Sequence, residues 1–250
     1  LSSRRESRPA SHLVLLAESQ EGYHNLAKLV SLGWVEGMHG GTPRIDLDLL
    51  GEHAKGLVVT TACMGGLVAQ EVLLKGETAG RALLADLRDR LPAGSLYVEL
   101  QDHGFPENGP LNEALIEVAR DLGLPLVATN DCHYLERSQA RPQLVLQCIA
   151  ASRPLADMER AHHGSNELYL KSGAEMVELF RHVPDAIKST LEIAERCAGK
   201  VDPTHKPKLP RFSVPEGMTE AAFLERIAEE GLVARFQEIE SGGRAVDHEA

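Results

Sequence analysis

At 250 residues, with 43% hydrophobic and 25% charged residues, the chain has an ordinary globular composition and enough apolar mass for a sizeable core. A formal net charge of −11 excludes a surface that holds duplex DNA through its own basic residues, because phosphate neutralisation needs clustered Lys and Arg. The four cysteines, Cys63, Cys132, Cys148 and Cys197, contain no C-x-x-C pair, which argues against a zinc ribbon or a disulfide framework and for a reducing, cytoplasmic setting.

The first ten residues, LSSRRESRPA, lack the apolar core of a signal peptide and read as a poorly ordered or non-native start. No later stretch has the length and apolarity of a membrane helix. Residues 12–17 (HLVLLA) predict a buried strand, and Tyr23, Leu26, Leu29 and Val30 at helical spacing predict a helix over 21–32. A second strand is predicted at 57–61 (LVVTT), and Gly65-Gly66 then opens a helix at 67–74, with another over 78–91. The third strand, 95–100 (SLYVEL), precedes a helix at 108–122, and the fourth, 125–129 (PLVAT), precedes one at 138–151. From Ser172 only helices follow, at 173–180 and 184–197, then a Pro-rich linker at 203–218 and a helix at 219–239.

Strands alternating with helices imply an α/β fold with parallel pairing, either a doubly wound sheet or a closed barrel. No G-x-G-x-x-G follows the first strand, whereas polar residues gather just after successive strands: Cys63, then Glu99 and His103, then Asp131 and His133. In a β/α barrel the loops after the strands converge on one face, so this placement favours the barrel.

Thr129-Asn130-Asp131-Cys132-His133-Tyr134 leaves the fourth strand directly, and on an extended backbone Asp131 and His133 share a face while Cys132 points away. A carboxylate and an imidazole so placed make a metal corner; the bland alternative is a polar strand end with Asp131 capping a turn. His103 leaves the third strand beside Gly104, with Glu99 and Asp102 as carboxylates able to orient its imidazole. Cys63, beside glycines at the end of the second strand, is either a thiolate ligand or a buried, inert thiol. His12 begins its strand and so belongs at the opposite end of a parallel barrel; His162, His163 and His205 fall in predicted loops, and Cys132 and Cys148 read as core.

The runs HLVLLAESQEGYHNLAKLVSLGWVEG, PRIDLDLL, LYVELQDHGFPENGPLNEALIEVARDLGLPLVATNDCHYL, ELYLKS and LEIAERC resemble, in order and approximate spacing, the PHP domain of bacterial DNA polymerase III alpha subunits. The tail LPRFSVPEGMTEAAFLERIAEEGL is similar to the linker and first helix leading into that family's polymerase module. The resemblance implies a partial seven-stranded PHP barrel over 11–202, the linker at 203–218, and the helical start of a polymerase module at 219–250. It also implies a divalent metal cluster (Zn, Mn or Mg) at the strand ends, to which Cys63, His103, Asp131 and His133 match by motif.

The family's opening H-x-H strand, T-D-H-G motif and glutamate-bearing strand do not occur in this chain, nor does the aspartate-rich palm motif. Both ends therefore read as cuts, the strand at 12–17 is expected at an open edge, and the chain alone is expected to bind metal weakly and catalyse nothing. For the whole protein the resemblance implies a DNA-directed DNA polymerase, a nucleotidyltransferase of chromosomal replication with Mg at its polymerase site. Its implied partners are DNA, dNTPs and the exonuclease, sliding clamp and clamp-loader subunits. The PHP domain is implied to be either a metal-dependent 3′ to 5′ exonuclease or phosphoesterase, or a platform that stabilises the polymerase and docks the exonuclease; a standalone PHP-family phosphatase is the third reading, against which the polymerase-like tail after Pro203 speaks.

Overall fold

The computed structural model describes residues 11–161, 165–204 and 212–243; His162, His163, His205 and the first ten residues lie outside the described part. The chain divides into two compact units, 1–203 and 204–250.

The first unit is built on a four-stranded sheet in the order β1-β4-β5-β6, with β1 at Val14–Ala17, β4 at Leu57–Thr60, β5 at Leu96–Leu100 and β6 at Leu126–Ala128. Every residue of β4, β5 and β6 is buried, which is why these strands read as unbroken apolar runs rather than as alternating ones. β5 pairs in parallel with both neighbours, Val59 opposite Leu96 and Val98 opposite Leu126. One face, with Leu57, Val59, Val98, Leu100 and Ala128, packs on α4 (Glu77–Arg90) and α5 (Asn108–Asp121) through Leu84, Leu87, Leu115 and Val118. The other face, with Val58, Tyr97 and Val127, packs on Ile193 of α9 (Pro184–Cys197). Each such side chain fully removed from water contributes about 1.5–3 kcal/mol.

The expectation of parallel pairing fails at the first strand. β1 runs antiparallel to β4, Val14 opposite Thr60 and Ala17 opposite Leu57. The reason lies in the return path of the chain. α1 (Gln20–Val35), the hairpin of β2 (Met38–His39) and β3 (Thr42–Pro43), and α2 (Leu47–Glu52) bring the chain back beside the end of β1, where Glu18 N–H donates to Gly56 O at 3.0 Å. That approach requires glycine twice. A methyl on Gly22 would lie 1.8 Å from Gly56 O, and Gly56 itself has φ of +74°. β1 therefore lies at the sheet edge with Val14 and Leu16 exposed, and the described residues form an open sheet of four strands, not a seven-stranded barrel.

The β2–β3 hairpin turns through Gly40 and Gly41, both at positive φ as a two-residue hairpin demands. After β6 a short 3-10 turn at Arg137–Gln139 leads into α6 (Ala140–Ala151), then α7 (Leu155–Ala161) and α8 (Gly173–Leu179). The second unit contributes α10 (Glu220–Ser241), whose N-terminus is capped by the Thr219 hydroxyl. No helix of the described residues is long and apolar enough to cross a membrane.

Candidate metal centre at the strand ends

β6 stops at Ala128, and Asp131 takes a left-handed backbone with φ of +42°, unusual for a residue with a side chain. Extended alternation therefore does not continue through 131–133. Asp131 and His133 nonetheless meet, His133 Nε2 lying 3.4 Å from Asp131 Oδ2, both near the surface. Cys132, expected in the core, is exposed, because the left-handed turn removes the face on which alternation would have buried it.

This arm is held by a second segment, 165–172. Asn130 Nδ2 donates to the carbonyls of Glu167 (2.8 Å) and Tyr169 (2.7 Å), and His133 N–H donates to Leu168 O (2.8 Å). Lys171, its side chain only 5% exposed, donates to Asn130 Oδ1 at 3.1 Å, pairs with Glu167 at 3.2 Å and lies 4.5 Å from the Tyr169 ring centre.

His103 follows β5 and is 4% exposed. Its ring Nε2 lies 3.0 Å from Asn130 O, and a carbonyl only accepts, so the neutral ring carries its hydrogen there and keeps its lone pair on Nδ1. The Asn130 carbonyl thus orients this imidazole, a role the sequence suggested for Glu99 or Asp102. Asp102 instead accepts from Gly104 N–H at 3.0 Å, where Gly104 takes φ of +74°. Burial pushes the His103 pKa below its ordinary value of 6.5, against the opposing pull of the Asn130 hydrogen bond. A histidine held neutral in this way binds fewer protons folded than unfolded. Its contribution is therefore complete above pH 6.5 and is lost as the pH falls from there toward the depressed folded value. Urea titrations at pH 7.5 and 5.5 should show the chain less stable at the lower pH, with the difference reduced in His103→Gln.

Cys63 sits half-buried in the turn after β4, next to Ala62, whose φ is +62°. His12 lies beside it. His12 N–H donates to Gly65 O (3.4 Å), Leu67 N–H donates to His12 O (3.0 Å), and a methyl on Gly65 would stand 3.6 Å from Cys63 Sγ and 3.7 Å from His12 Nδ1. The placement of His12 at the far end of the sheet is thus corrected: antiparallel pairing puts the start of β1 beside the end of β4. Sequence reasoning missed His12 because hydrophobic periodicity carries no strand direction.

His12, Cys63, Glu99, Gln101, Thr129 and Asp131 line one cavity of about 1170 Å³, while His103 and His133 do not line it. The donors thus come as two close groupings, Asp131 with His133 and His12 alongside Cys63. Among the described residues no three His, Cys, Asp or Glu side chains converge on a point where an ion could be held. Thiolate, imidazole and carboxylate suit zinc or manganese chemically. As arranged, however, the residues present do not fit a bound ion.

Comparison with known proteins now bears on this arrangement. The family model described as "PHP domain" matches residues 2–103, a span that contains His12, Cys63 and His103. The DNA polymerase III subunit alpha of Borreliella burgdorferi is 38% identical over 232 residues, 92% of this chain and 20% of that protein. The chain carries a PHP domain homologous to DNA polymerase III alpha subunits. The subunit of Treponema pallidum is 34% identical over 226 residues, and that of Thermus aquaticus 36% over 231, each alignment covering 90% of the chain and 19% of the relative. The PHP chain thus spans about one fifth of the length of the relatives it matches. Asp131 and His133 lie beyond the PHP match, on the arm that segment 165–172 holds.

Proposed function

We propose that this PHP chain serves bacterial chromosomal DNA replication as part of a DNA polymerase III alpha subunit. The identity of 34–38% over about nine tenths of the chain supports this reading most directly. In the whole protein, 11–202 is expected to form part of a seven-stranded PHP barrel, with 203–218 as linker and 219–250 opening the polymerase module. Polymerisation of dNTPs on DNA, Mg at the polymerase site, and docking of exonuclease, clamp and clamp-loader subunits are proposals for that whole protein, which acts in the cytoplasm.

Cys63, His103, Asp131 and His133, with His12 added on structural grounds, are the proposed donors of a divalent metal site at the strand ends. Metal-dependent 3′ to 5′ exonuclease or phosphoesterase chemistry is a proposal for the whole protein alone, because the donors do not converge among the described residues. The platform reading is favoured for this chain by one observation, the lack of three converging donors among the described residues. On that reading the chain's own residues keep the carboxylate and imidazole groups at one end of a rigid sheet.

Zn(II) and Mn(II) titrated calorimetrically into the 250-residue chain should bind weakly, and Asp131→Asn with His133→Ala should abolish the heat. Tight binding that survives those changes and Cys63→Ser would place the metal elsewhere. Metal-dependent nucleotide release from a primer, abolished by His133→Ala, would overturn the platform reading.

A further inference from the structure

Glu99 is the single charged residue of the three buried strands β4, β5 and β6, and it is 6% exposed. Four donors converge on its carboxylate. Oε2 accepts from the Thr60 hydroxyl and from Ala62 N–H (3.1 Å), both at the end of β4. Oε1 accepts from the Thr129 hydroxyl, just past β6, and from Gln101 Nε2 (2.8 Å), which also reaches Thr129 Oγ1 at 3.1 Å. The Glu99 N–H in turn donates to Thr61 Oγ1 at 2.8 Å. A carboxylate has about four acceptor positions, so this one has no capacity left for a ligand.

What it binds is informative. Ala62 is held at φ +62°, a region disfavoured for any residue with a Cβ, and its N–H is one of the four donors. Cys63 follows immediately. On the other side Thr129 precedes Asp131 by two residues, and Asp131 is likewise left-handed at φ +42°. Glu99 thus ties together the two turns that present a thiol and a carboxylate to the same cavity. We infer that Glu99 is a positioning residue whose buried carboxylate sets the turns bearing Cys63 and Asp131 relative to each other. The inference rests on the metal-site reading for its purpose, but its geometry can be tested without any metal.

Glu99→Gln keeps the shape but places an amide NH₂ against donors. A threonine hydroxyl can rotate and the Gln101 amide can turn its unpartnered oxygen round to accept, whereas Ala62 N–H, a backbone donor, cannot withdraw its hydrogen. The readout is alkylation of each cysteine by iodoacetamide, resolved by peptide mass spectrometry on the full chain. Glu99→Gln should raise Cys63 alkylation about tenfold relative to exposed Cys132, as expected when a charged hydrogen bond no longer closes a turn. Buried Cys148 should not change. Thr60→Val, nearly isosteric and on the β4 side, should raise Cys63 alkylation in the same direction, and it serves as the test if Glu99→Gln does not fold. Thr129→Val should leave Cys63 unchanged.

Unaltered Cys63 reactivity in the folded variants, or a joint rise of Cys63 and Cys148, would overturn the positioning role; the latter would mark general loosening. Co(II) titration of the unaltered chain and of Cys63→Ser keeps the two readings apart. A thiolate-to-metal absorption band that requires Cys63 supports the metal reading, and uptake indifferent to Cys63 sinks it, whatever the alkylation result.

Discussion

Replacing Lys171 with methionine is expected to destabilise the fold by about 2–3 kcal/mol and to loosen the arm that presents Asp131 and His133. Methionine fills most of the same volume, so the loss comes from polar contacts rather than from a cavity. The Lys171 ammonium is nearly sealed from water against Asn130 Oδ1, Glu167 and the Tyr169 ring. Removing it leaves Asn130 Oδ1 without that donor, and the Asn130 amide is one of the groups that join the site arm to segment 165–172. The effect falls short of losing a fully buried ion pair because Glu167 is 26% exposed and keeps Arg137 as a partner at 3.1 Å. Urea unfolding should show a lower midpoint with an unchanged slope, and the His133 amide, bonded to Leu168 O, should exchange faster. An unshifted midpoint would mean that Arg137, 5.0 Å from the Tyr169 ring centre, holds the segment instead.

Gly66→Ala should be at least as damaging, at about 3 kcal/mol, which for a domain of this size lowers Tm on the order of 10 °C. Gly66 has no need of a left-handed backbone, since it caps α3 (Leu67–Lys75) with φ of −67°. Its constraint is space. An added methyl would stand 2.2 Å from Thr61 O and 2.7 Å from Cys63 O, both backbone atoms of the turn that Glu99 holds. Either α3 or that turn must move, and with it the bridge from His12 to Gly66 that seats His12 beside Cys63. Gly65→Ala is the control, because its methyl would meet Cys63 Sγ and His12 Nδ1 at ordinary contact distances of 3.6 and 3.7 Å. Thermal unfolding of the two variants side by side should show a large shift at position 66 and a small one at 65. Equal shifts would mean that flexibility of the glycine pair, and not the close approach at Gly66, is what the turn requires.

The legibility of this chain varies with the range of the interaction that decides each feature. α9 was readable end to end at 184–197, since Pro184 stands in the first turn, where its missing N–H costs nothing, and apolar positions recur at helical spacing. β4, β5 and β6 were readable as apolar runs between turn residues. The β2–β3 hairpin and the six-residue α2 escaped because two-residue strands and less than two helical turns are too short to show a period.

At the site, the sequence by itself determined which donors stand at strand ends, because Cys63, His103, Asp131 and His133 each follow a strand whose limits are set by local apolar pattern. Only the tertiary structure decided that His12 stands beside Cys63. Strand direction depends on the route of the intervening chain, here fixed by the contact of Gly22, just past the first strand, with Gly56, far beyond that strand's own pattern. The same holds for Glu99: its place in a strand was legible, but its partners Thr60, Ala62 and Thr129 lie 37 to 39 and 30 positions away, on neighbouring strand ends. Pattern along a chain reports which face a residue turns to the core, whereas hydrogen bonds across a sheet depend on register, and register exists only once the strands have met.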